Sequence, residues 1–219
     1  MRLFIICFLV CVPLAARAQR VTDERIWLEG GVDAGVGPRL QLEATQQLRL
    51  GIDAGFDETH TQLEANFRVV DFVRIGALYR LIILDNEVRH RIAGQGELRG
   101  KVGKLTASYR LRLQETFRSN DDRLVIRNRG KLAVRVSKRV EPFLAIELHH
   151  QLDPQAEFRE FRFLVGVDWR LSKQLDLATY YMFQDESNVQ MPERNHILGV
   201  GLTYHFGDLR EDRDAGPKD

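Results

Sequence analysis

Leu40-Gln-Leu-Glu-Ala-Thr-Gln-Gln-Leu-Arg-Leu-Gly-Ile-Asp-Ala-Gly-Phe56 is the stretch that decides the fold. Its even positions are Leu40, Leu42, Ala44, Gln46, Leu48, Leu50, Ile52, Ala54 and Phe56, apolar with one exception. Its odd positions carry Gln41, Glu43, Thr45, Gln47, Arg49, Gly51, Asp53 and Gly55, with no hydrophobic side chain among them. A period of two places successive side chains on opposite faces of a β-strand, so this strand meets two different environments. The run is long beside the usual strand of about 5–6 residues in soluble proteins.

The same rhythm recurs to Phe206. Eleven strands are expected, at about 25–36, 39–56, 61–69, 72–84, 87–100, 103–118, 123–137, 139–150, 157–171, 174–185 and 194–206. In 104–118 one face holds Leu105, Ala107, Tyr109, Leu111, Leu113 and Phe117, and the other Arg110, Arg112, Gln114 and Thr116. In 157–171 Phe161, Phe163, Val165, Val167, Trp169 and Leu171 oppose Arg162, Gly166, Asp168 and Arg170. No window has helical periodicity. After the first of them, the prolines (Pro38, Pro142, Pro154, Pro192 and Pro217) lie in turns, near a strand start or in the tail, where a missing N–H costs little.

The ends indicate export. Arg2 precedes the apolar run Leu3–Leu14, and Ala16-Arg17-Ala18 before Gln19 fits a cleavage site. A run this short is a secretory signal peptide rather than a membrane helix, which needs about 20 apolar residues. Both cysteines, Cys7 and Cys11, fall inside it, so no disulfide is expected in the mature chain. The expected division is a signal peptide at 1–18, a barrel at 19–206 and a polar, disordered tail at 207–219. Taking Arg2 and Arg17 from the 32 basic residues leaves 30 against 31 acids, a net charge of −1, which argues against a nucleic-acid partner.

The connections alternate in kind. Short ones are expected at Val36–Pro38, Val70–Phe72, Lys101–Val102, Ser137–Arg139 and Ser172–Gln174, and longer or more polar ones at Asp57–His60, Asp85–Glu87, Ser119–Asp122, Leu152–Ala156 and Glu186–Glu193. Short turns on one rim and longer loops on the other are the pattern of outer-membrane barrels. The fold class is therefore all-β, an antiparallel up-and-down transmembrane β-barrel of ten to twelve strands. Eleven are counted, and the even-number rule of single-chain bacterial barrels points to ten or twelve. Gly201, Tyr204 and Phe206 resemble a C-terminal strand signal read by the barrel assembly machinery. Membrane lipid and that machinery are the expected partners, with the bacterial outer membrane the expected location. Trp169, Tyr181, Phe183, Tyr204, Phe206 and Phe117 are candidates for interfacial girdles.

Several short motifs fall in order along the chain. They are Trp27 opening the first strand, Tyr79-Arg80, Tyr109-Arg-Leu-Arg-Leu113, Arg123-Leu-Val-Ile-Arg-Asn-Arg129, Pro142-Phe143 ahead of Glu147, Tyr180-Tyr181, and Asn195-His-Ile-Leu-Gly-Val-Gly-Leu-Thr-Tyr204. From about Trp27 to Phe206 this order resembles the DUF2490 family of outer-membrane barrels. The resemblance implies a fold and a location, and no catalytic residues to carry over.

The polar face holds an expected charge network of Arg110, Arg112, Arg127, Arg129, Glu147, His149, Arg162, Asp168, Arg170 and Asp176. Arginine suits charges that pair in fixed geometry. Hairpin register predicts Arg170 opposite Asp176 and Arg129 opposite Glu147, with Arg112 beside Arg129. Such a face implies either a lumen plugged by its own side chains or a narrow polar pore, which an arginine excess would turn toward anions. A lipid hydrolase and a soluble periplasmic barrel binding an apolar ligand are the alternatives. The hydrolase lacks a triad. Ser137 is twelve residues from His149, close to 40 Å at about 3.3 Å per residue. Ser108 lands near position 144, and Ser187 has no histidine near it in sequence. Hence no catalytic residue is assigned. No cofactor is expected, and no metal either, because His149 and His150 point to opposite faces and Glu147 with His149 gives only two ligands.

Overall fold

The computed structural model describes residues 21–206 except 54, 119–121 and 153–155. The expected signal peptide and polar tail lie outside the described residues. Eleven strands follow one another: β1 (Val21–Val36), β2 (Leu40–Gly51), β3 (Gly55–Val70), β4 (Val73–Leu84), β5 (Val88–Val102), β6 (Leu105–Phe117), β7 (Arg123–Val134), β8 (Val140–Gln151), β9 (Glu157–Arg170), β10 (Leu175–Glu186) and β11 (Glu193–Phe206). Each pairs antiparallel with its chain neighbours, and β1 pairs with β11 to close a barrel. The shortest strands have 12 residues, enough to cross a bilayer at the usual tilt, which takes about 9–11.

The count is the eleven that the alternation gives, within the expected ten to twelve, and only the even-number rule fails. With an odd number of alternating strands, the first and last run the same way, so the seam is parallel, from Val21 opposite Glu193 to Ala34 opposite Phe206. A second correction concerns the stretch that opened the sequence reading. Leu40–Phe56 is two strands and a turn: β2 ends at Gly51, β3 starts at Gly55, and Asp57–His60 lie inside β3. Ile52 and Asp53 form the turn, and the alternation of the sequence runs through it by coincidence. Gly55 takes a φ of 76°, which only glycine adopts freely, and a register shift between Arg49 and Leu50 offsets the two faces.

The apolar set faces outward. Leu63, Ile92, Leu111, Val165 and Leu198 are all exposed, Leu63 to 56%. The buried side chains include Asp33, Gln47, His60, Glu64, Arg112, Glu147, Asn195 and His205. In water, so continuous an apolar surface would drive association. Around a bilayer-spanning barrel it is the lipid contact. This orientation is the reverse of what a soluble barrel with an apolar ligand cavity requires.

Toward one rim Tyr204 and Phe206 meet edge to face at 4.9 Å, with Trp169 on the same rim bonding Thr179 (3.0 Å). Toward the other rim outward histidines sit against aromatics: His196 with Tyr181 and Phe183, His150 with Phe158, and His90 with Tyr79. Amphipathic rings at both levels are the arrangement of interfacial girdles. Leu63→Arg tests the outward face. An arginine facing lipid near mid-height costs about 2–4 kcal/mol, so the urea midpoint of the barrel refolded in vesicles should fall. An unchanged midpoint would mean that this face is not in lipid.

Candidate functional site: a charged lumen in two chambers

The inward side chains enclose two cavities, one toward the rim of the β10–β11 loop, of about 470 Å³, and one toward the opposite rim, of about 450 Å³. Glu43, Arg110, Arg129, Lys131, Asp168 and Ala178 line both and mark the level where the two meet. Among the described residues lining the first cavity, thirteen are basic and eight acidic. For the second the numbers are eight and six. Both chambers therefore carry a positive excess.

The arginines are concentrated on β4–β7, and their register sets like charge against like. Arg80 lies opposite Arg91, Arg112 opposite Arg127, and Arg110 opposite Arg129. Directly opposed like charges destabilise a sheet, so this is a local cost borne three times. Few carboxylates relieve it. Arg112 donates to Gln95 Oε1 (2.6 Å) and reaches Glu64 (3.3 Å), and Arg127 donates to Glu147 (2.6 Å). Arg80 bonds Gln62 and Arg91 bonds Thr116 Oγ1 (2.8 Å), both neutral. Arg110 and Arg129 make no hydrogen bond or ion pair among the described residues. On β1–β3 the opposite sign forms a row, Asp33 facing Glu43 and Glu43 facing Glu64.

The expected network divides into separate groups. Glu147, 2% exposed, is its hub: it accepts from Arg127, contacts His149 (2.6 Å) and lies 3.6 Å from Arg162. His149 also approaches Glu160 (3.6 Å), which pairs with Arg162. Arg129 does stand opposite Glu147 in register, yet the ion pair goes to Arg127. A long side chain reaches a diagonal neighbour as easily as a direct one. Arg112 faces Arg127, and Arg110 takes the place beside Arg129 that the hairpin reading gave to Arg112. Arg170 does oppose Asp176. Asp168 is held by Lys131 (2.9 Å).

Three groups escaped the sequence reading. His205 bridges Asp33 (2.8 Å) and Asp176 (2.9 Å). Arg49 and His60 share Glu58. Third, Trp27, Ala133, Phe143, Ala145, Leu164, Met182 and Ile197 form an apolar cluster on the inner wall, with Tyr180 packed against it. Their phase was the available signal, since Trp27 is in phase with Glu29 and Phe143 with Glu147. As for the serines weighed for hydrolysis, Ser108 faces Lys131, and no serine hydroxyl bonds His149 among the described residues.

The fold and its lining define a porin-like β-barrel. Residues 24–195 match the family described as "Protein of unknown function (DUF2490)", and the chain belongs to that family. No curated protein matches the sequence. Among solved structures, the NanC porin superposes with a TM-score of 0.55 at 12% identity, covering 84% of this chain and 99% of that one. A KdgM porin, in complex with disordered oligogalacturonate, superposes with a TM-score of 0.50 at 14% identity, covering 84% and 98%. At these identities the likeness is one of fold.

Proposed function

We propose that the protein is a narrow, anion-preferring channel of the Gram-negative outer membrane, delivered there by a cleaved signal peptide. One observation carries the reading: the three opposed arginine pairs on β4–β7. A wall whose only task was to fill the lumen would alternate signs across strands, because like charges face to face cost stability. Sequences break such local rules mainly where function requires it. A wall of arginines lowers the energy of an anion passing between the chambers. The fold shared with porins and the outward apolar surface support the location. The oligogalacturonate in the KdgM complex is anionic, which is compatible with the charge preference and does not identify this chain's solute.

A self-plugged barrel is the second reading, favoured by the dense pairing at Glu147. A lipid hydrolase has less support, because His149 is held between two carboxylates. The test is conductance. The chain refolded into a planar bilayer in potassium chloride should give discrete current steps. A barrel that shows the heat-dependent gel shift of a folded outer-membrane protein yet passes no current would be a plug.

A further inference from the structure

One row of the inner wall alternates rings with the smallest residues. In register across neighbouring strands it reads Trp27 (β1), Gly199 (β11), Tyr180 (β10), Gly166 (β9), Phe143 (β8) and Ala133 (β7). The glycines are where the rings lie. A Cβ on Gly199 would stand 2.0 Å from Tyr180 Cζ, and one on Gly166 would stand 2.7 Å from Phe143 Cζ and from Tyr180 Cβ. Tyr180 and Phe143 therefore lie close against the backbone of the next strand, at Gly199 and Gly166. Glycine inside a strand commonly marks so close an approach.

The three rings are not equivalent. Arg49 sits 3.7 Å over Trp27, and Lys131 sits 4.1 Å over Phe143. Cations on ring faces are favourable contacts. Tyr180 carries no such cation among the described residues. It lines the first cavity, is only partly buried, and has Glu29, Arg49, Arg162 and Arg129 as charged neighbours. Arg129 and the opposed Arg110 form no ion pair among the described residues, although Glu147 and Glu97 stand opposite them in register. A ring with no cation over it thus lines the same chamber as two arginines that form no ion pair among the described residues.

We infer that this chamber binds anions whose charge is carried on a ring, the ring stacking on Tyr180 and the anionic group meeting Arg129 and Arg110. The inference rests on the anion-channel reading and narrows it to a solute class. Aromatic acids and cyclic sugar acids share the required chemistry, a flat or faced ring bearing a carboxylate.

The test uses the full mature chain in planar bilayers, with block of the chloride current as the readout. Benzoate is compared with acetate, and glucuronate with open-chain gluconate, so that charge is matched and only the ring differs. Aromatic stacking of this kind supports a preference of roughly tenfold, so benzoate, glucuronate or both should block at about tenfold lower concentration than their partners. Block by benzoate alone assigns aromatic acids, and by glucuronate alone sugar acids. Tyr180→Phe should keep the preference and Tyr180→Leu should lose it. Gly199→Ala, which would push the ring off the wall, should weaken it. Refolding of each variant is checked by the heat-dependent gel shift. Equal block within both probe pairs in the wild type would overturn the platform, even if the chloride preference held. A ring preference that survives Tyr180→Leu would overturn the role of Tyr180. A cation-selective wild type with a persisting ring preference would overturn the channel reading and leave the platform.

Discussion

The double variant Arg110→Gln/Arg129→Gln should lose about tenfold in its chloride-over-potassium permeability ratio. The two residues line both chambers where these meet, face one another across β6 and β7, and form no ion pair among the described residues. A unit charge 4 Å from a passing ion is worth about 1 kcal/mol in bulk water and about 4 kcal/mol at an effective dielectric near 20. A hydrated lumen lies toward the first figure. Removing both charges then changes anion stabilisation by about 1–2 kcal/mol, and 1.4 kcal/mol is a factor of ten. The ratio is read from zero-current potentials in a salt gradient. An unchanged ratio would place selectivity elsewhere, for example in the arginines at the rims.

The largest expected loss of stability is at Glu147. Glu147→Gln removes the charge that Arg127 bonds and that His149 and Arg162 approach, in a residue almost completely buried. Breaking a buried pair from one side costs about 3–5 kcal/mol, because the remaining charge is stranded, and water in the lumen moves the figure toward the low end. The denaturant midpoint in vesicles should fall accordingly. Arg129→Ala should cost less than Glu147→Gln, because Arg129 forms no ion pair among the described residues and its removal relieves Arg110. Equal losses in the two variants would mean that Glu147 pairs with Arg129 after all.

Those two variants also show how far the sequence could be read. Alternation located all eleven strands and which face meets lipid, because one outward apolar side chain every second residue is a physical requirement of a lipid-facing wall. Register within tight hairpins was legible too: Arg129 does face Glu147, and Arg170 does face Asp176. What register cannot fix is which partner a six-bond side chain chooses. Arg127 reaches Glu147 on the diagonal, so the pair itself was misassigned. Across the Ser119–Asp122 connection even the register was off by two, with Arg110 rather than Arg112 beside Arg129. The turn at Ile52 and Asp53 was hidden because the alternation of the sequence keeps phase through it. Strand parity depends on how the ends meet, which no local pattern encodes. The aromatic and glycine row needs the register of six strands at once, so Trp27, Tyr180 and Phe143 looked unrelated along the chain. The arginine excess was legible, and its concentration into three opposed pairs was not.

The most direct test of an anion-preferring lumen is the sign of the zero-current potential of the wild-type channel across a tenfold potassium chloride gradient. With the arginine wall setting selectivity, the dilute side should become negative relative to the concentrated side, as chloride crosses faster than potassium. A potential of the opposite sign would show that the acid row of Asp33, Glu43 and Glu64 controls passage, and would contradict the channel proposed for this barrel.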